Sequence, residues 1–94
     1  MDLAQVFSEY ENEFLEFKRI KNPRHARPDL CAFLMLDDLL PGTEDMIGAG
    51  EHDEIWLSVS CNVLANVATK EFICNLRRCG VWYSEDNNSL SMFV

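Results

Sequence analysis

Between Ile55 and Val94 the hydrophobic period changes twice, and that alone requires a fold built from both strands and helices. Ile55, Leu57 and Val59 alternate with Trp56, Ser58 and Ser60, the pattern of a half-buried strand. From Cys61 to Val67 and from Lys70 to Cys79 the apolar residues recur at helical spacing, with Thr69 as the cap between two short helices and Gly80 as the stop. Val81 to Ser84 and Ser89 to Val94 return to strand character on either side of the turn Glu85-Asp86-Asn87-Asn88.

The N-terminal half reads as helical. Asp2 suits a helix cap, with Gln5 three residues on. Leu3, Val6, Phe7, Tyr10, Phe14 and Phe17 then form one apolar stripe on a helix of roughly five turns. Asn22-Pro23 ends it, and Pro28 opens a second helix with Asp29 near its N-terminus. Leu30 to Leu36, with Leu39 and Leu40, is apolar nearly all round, which makes it the central helix; a strand stays open for its first half. Pro41-Gly42 ends this element. Thr43 caps a short acidic turn through Ile47, and Gly48-Ala49-Gly50 follows as a flexible link. The expected architecture is α+β: a three-stranded antiparallel sheet with helices on one face, in the order ααβααββ. At 94 residues the chain is a single domain, 1–94, with room for one modest core.

Charge is sorted along the chain. Residues 1–17 carry five acids and no Lys or Arg, and residues 18–27 carry five bases and no acid. Residues 28–69 carry eight acids and no base, and the remainder balances, so that the net charge is -8. A balance this acidic argues against direct binding of nucleic acid, which needs Lys and Arg to neutralise phosphates. It favours a partner protein with a basic surface, or simply a well-solvated exterior. The bases of residues 18–21 also complement the dipole at the end of the first helix.

No apolar run approaches the ~20 residues that span a bilayer, so no membrane association is expected. The first residues lack a basic segment followed by an apolar one, which points to the cytoplasm. Cys31, Cys61, Cys74 and Cys79 have the spacing of neither a zinc site nor a redox pair, and read as reduced, mostly buried thiols. No glycine-rich phosphate loop or calcium loop occurs, and no cofactor or metal is expected. His52, within Glu51-His52-Asp53-Glu54, is placed beside carboxylates as a general base would be, but the preferred reading is a solvent-exposed loop histidine with no part in chemistry.

Two surfaces remain as candidate partner sites. The acidic one comprises Asp37, Asp38, Glu44, Asp45, Glu51, Asp53 and Glu54, whose carboxylates could occupy a basic groove as phosphates do. The aromatic one follows from alternation. If Ile55, Leu57 and Val59 face the helices, then Trp56, Trp82 and Phe93 collect on the opposite sheet face, register permitting. Either that face is open, or the first helix covers it with its own aromatic stripe.

Arg27-Pro28-Asp29-Leu30, Glu51-His52-Asp53-Glu54-Ile55 and Arg78-Cys79-Gly80-Val81, with Ser91-Met92-Phe93-Val94, resemble small proteins of tailed phages. The resemblance carries no catalytic residue. It implies a context: a phage accessory protein, acting in the host cytoplasm, that binds and blocks a host nucleic-acid-handling or defence protein, as anti-CRISPR and anti-restriction inhibitors do. The expectation is therefore a non-catalytic acidic binding protein, with a homodimer left open. The alternatives are a small homo-oligomeric virion component, and a metal- or His-dependent enzyme using His52.

Overall fold

The computed structural model describes residues 1–93. Helix α1 (Leu3–Glu9) is capped by Asp2, whose carboxylate accepts from the Gln5 N–H at 3.2 Å. It runs for two turns and not for five. Beyond Tyr10 the chain makes two 3-10 turns, Glu11–Glu13 and Phe17–Arg19, with Leu15 between them at φ 65°. Tertiary partners explain the early end. The Leu15 N–H donates to the Arg77 carbonyl at 3.1 Å, and the Glu13 carboxylate accepts from Arg19 at 2.6 Å and Arg78 at 2.9 Å. A continuous helix would have committed the Leu15 N–H to its own ladder.

Helix α2 (Pro28–Leu39) begins with proline at its first turn and buries Cys31, Ala32 and Leu36, so its first half is helix and not strand. Thr43 caps no helix; its hydroxyl donates to the Leu40 carbonyl at 3.5 Å. The largest correction follows. The stretch expected as an acidic turn and a flexible glycine link forms strand β1 (Ile47–Glu51), paired with β2 (Glu54–Leu57). The sheet therefore has four strands and not three, and the order is ααββααββ, leaving aside the 3-10 turns. Helices α3 (Cys61–Val67) and α4 (Lys70–Arg78) and strands β3 (Val81–Ser84) and β4 (Ser89–Phe93) lie where periodicity placed them. Val94, expected to end the last strand, lies outside the described residues. No helix among the described residues is long and apolar enough to cross a membrane.

The strands lie in the order β1-β2-β4-β3, all antiparallel. Register then assigns the faces. Val81, Met92 and Ile55 form one row across the sheet, and Tyr83, Leu90 and Leu57 form the next. Both rows face the helices: Leu57, Val81, Leu90 and Met92 share a core with Leu3, Val6, Phe7, Leu36, Leu64, Ile73 and Leu76. Phe7 of α1 stacks on Tyr83 at 5.9 Å between ring centroids. Burial of these side chains, at roughly 25 cal/mol per Å² of apolar surface, is the main force closing the fold.

Candidate interaction surface

The opposite face of the sheet carries the row Trp82–Ser91–Trp56, with Phe93 two residues along β4 from Ser91. The three aromatic residues expected on one face therefore share it. Helix α1 packs on the other side, against Tyr83, and leaves this face without a helix layer. The 3-10 segment covers one corner, where Phe14 meets Trp82 edge-on at 6.2 Å. Trp82 and Phe93 lie 4.7 Å apart between ring centroids. Ser91, flanked by the two tryptophans, is fully buried, and its hydroxyl and that of Ser89 have no hydrogen-bond partner among the described residues.

Phe93 is the ridge between two hollows. A shallow pocket of about 330 Å³ is lined by Glu11, Phe14, Arg77, Trp82 and Phe93. Arg77 lies over the rings of Phe7 and Phe14, at 5.5 and 5.8 Å, and its Nε donates to the Phe7 carbonyl at 3.0 Å. Burial pushes the Arg77 guanidinium below its usual value, and nearby Glu11 opposes that shift. On the helix side of the sheet, a groove of about 620 Å³ crosses beneath the start of α2. Leu15, Phe33, Ile47, Ile55, Met92 and Phe93 give it an apolar lining, with Arg27 and Asp29 paired at 2.9 Å on its wall. Three of its residues are large apolar side chains left open to solvent: Leu15 at 63%, Phe93 at 54% and Ile47 at 44%.

The seven carboxylates do not form one patch. Asp37 and Asp38 are exposed near the end of α2, and Asp38 is already engaged by Arg24, Nε to Oδ2 at 2.5 Å. Glu44 and Asp45 lie on the link into β1, whereas Glu51, Asp53 and Glu54 surround the β1–β2 turn at the strand's other end. Roughly 13 Å of strand separates the two groups, at ~3.3 Å per residue. Glu51, Asp53 and Glu54 are the members brought together. His52 sits in that turn at φ 55° with its side chain 87% exposed, 4.0 Å from Glu51. That separation is beyond hydrogen-bond reach for a base and its orienting carboxylate.

The four cysteines are free and buried. Burial pushes the thiols of Cys61, Cys74 and Cys79 upward, and Cys79 is raised further by its neighbour Cys31 on α2. Among the described residues no group of three or more His, Cys, Asp or Glu side chains is arranged to hold a metal ion. Leu15, Ile47 and Arg77 were not legible as surface residues. Leu15 interrupts the helical stripe, Ile47 follows a run of acids, and Arg77 reads as a C-terminal helix charge. No family model, curated protein or solved structure matches the chain.

Proposed function

We propose that this chain is a non-catalytic binding protein that docks a basic partner protein on the apolar surface around Phe93. The observation that carries this reading is the convergence of exposed Leu15, Ile47 and Phe93 on one groove. Scattered apolar side chains need no explanation on a protein surface, but contiguous ones mark a site of association. The partner-facing charge is supplied by Glu51, Asp53 and Glu54, which steer a cationic surface toward the site. The division of the carboxylates and the Arg24–Asp38 pair favour this arrangement over phosphate mimicry by all seven.

The resemblance to tailed-phage proteins makes a host nucleic-acid-handling or defence protein the partner class, and inhibition by occupancy the mode of action. Affinity capture from a bacterial host lysate with the wild-type chain and with Phe93→Ser tests this. One basic host protein, retained by the wild type and lost with Phe93→Ser at unchanged folding, is the expected result. Equal retention by both chains, or catalytic turnover that depends on His52, would overturn the reading.

A further inference from the structure

We propose that strand β1 is the receiving edge of the sheet, and that it takes an extended partner segment in which Lys or Arg alternates with apolar residues. This rests on the binding function above and specifies how the partner is held. Strand β1 pairs on one side with β2, and all five of its residues are exposed. Its other side offers main-chain N–H and C=O groups to an incoming strand.

The side chains of β1 leave room for one. Gly50 ends the apolar row Val81–Met92–Ile55, and Ala49 ends the row Trp82–Ser91–Trp56. Each row thus stops in a residue with almost no side chain, and a strand laid beside β1 would continue both. Its apolar residues would extend the row that ends at Gly50, entering the groove where Ile47 and Ile55 already form the wall. An edge glycine is stabilised by a larger cross-strand neighbour in just this way. A register shift between Ile47 and Ala49 confines regular pairing to Ala49–Glu51, which keeps the added strand short.

Charge selects the occupant. Glu44 and Asp45 lie before the strand, and Glu51, Asp53 and Glu54 lie at its far end. Among the described residues none of the five is paired with Lys or Arg, and residues 28–69 contain neither. A second copy of this edge is disfavoured, because parallel pairing sets Glu51 against Glu51 and antiparallel pairing sets Glu51 toward Glu44 and Asp45. Like charges facing across strands destabilise the pair, and opposite charges stabilise it. A basic strand satisfies the edge, the groove and the charge together.

The probe is a capped peptide of about seven residues alternating Lys and Val, the length of an ordinary strand. Its control is the same peptide N-methylated on every residue, which keeps charge and side chains but removes the main-chain donors of both edges. Binding is followed by NMR titration and amide exchange of the intact chain. The parent peptide is expected to protect amides within Ala49–Glu51, to bind at least tenfold more tightly than the methylated control, and to lose at least fivefold with Glu51→Lys. Equal binding of both peptides would overturn the edge and leave the docking function standing. Protection confined to the Trp82–Phe93 surface, or no binding at low salt, would also overturn it. A host partner lost with Phe93→Ser but indifferent to Glu51→Lys would count against the edge alone.

Discussion

Leu15 lies directly over Gly80: a Cβ placed on Gly80 would come within 2.7 Å of the Leu15 Cδ2. Both residues have left-handed backbones, Leu15 at φ 65° and Gly80 at φ 93°. The pair joins the 3-10 segment to the turn between α4 and β3, and so sets one wall of the groove beside Phe93.

Gly80→Ala is expected to destabilise the fold by ~1–2 kcal/mol, the cost of a left-handed backbone for a residue with a Cβ. The clash adds little, because the exposed Leu15 side chain can swing aside. Urea denaturation should therefore give nearly the same loss in a Leu15→Ala background. A loss halved in that background would show that contact outweighs backbone conformation.

Glu13 gives the fold an acid-sensitive joint. Its hydrogen bond from Arg78, with Arg19 assisting, holds the carboxyl below its usual 4.5 despite some desolvation. A carboxyl lowered on folding adds stability that is complete above the unfolded value and is lost as pH falls through the folded one. The melting temperature should thus decline below about pH 4.5. Glu13→Gln should flatten that decline, and an identical pH profile for the two proteins would remove Glu13 from the account.

Ser91→Ala removes a buried hydroxyl that has no hydrogen-bond partner among the described residues. It is expected to raise stability by ~1 kcal/mol, since an unsatisfied buried polar group costs at least that much. A loss of stability in chemical denaturation would mean that the hydroxyl is satisfied by solvent.

The buried thiols should resist alkylation. Burial raises the values of Cys61, Cys74 and Cys79, so little of their thiolate, the reactive species, forms at pH 8, and Cys31 is shut away from the reagent by its full burial. Iodoacetamide followed by intact mass should find them unmodified in the native protein and all four modified after denaturation. Rapid native labelling of Cys79 would contradict its burial between α2 and α4.

Binding kinetics should divide between charge and apolar contact. Amides in place of Glu51, Asp53 and Glu54 are expected to slow association several-fold at low salt and to weaken its salt dependence. Phe93→Ser should instead speed dissociation at every ionic strength. If both variants change the same rate constant, the two surfaces do not have separate roles.

What was legible in the sequence depended on local signals strong enough to act alone. Asp2 and Thr69 cap their helices through side-chain oxygens, with the Thr69 hydroxyl accepting from Phe72 N at 3.1 Å. Gly80 and the 85–88 turn punctuate the chain as their residue types dictate. The row Trp56–Ser91–Trp82 followed from alternation once register was known. Strand β1 was hidden because Gly48, Ala49 and Gly50 carry too little side chain to show a period, and pairing with β2 makes them a strand. The long first helix failed for the opposite reason. Phe14 and Phe17 keep the right spacing, but bonds to Arg77 and Arg78, more than sixty residues away, take the chain out of the helix. The separation of the acids by β1 was hidden with the strand itself.

Strand β4 follows both β2 and β3 in the chain, yet it stands between them in the sheet. Until Ser89–Phe93 emerges, β2 and β3 each wait beside a vacant place, with Leu57 and Val81 lacking the neighbours that bury them. Synthesis interrupted before Ser89 would give chains with two further open strand edges, on β2 and β3, the kind that aggregates or is degraded. Phe93, around which the proposed docking surface is organised, belongs to the same segment. A chain stopped short of it cannot finish the sheet, and under the proposed function it would lack the docking surface as well, so folding and binding would be lost together.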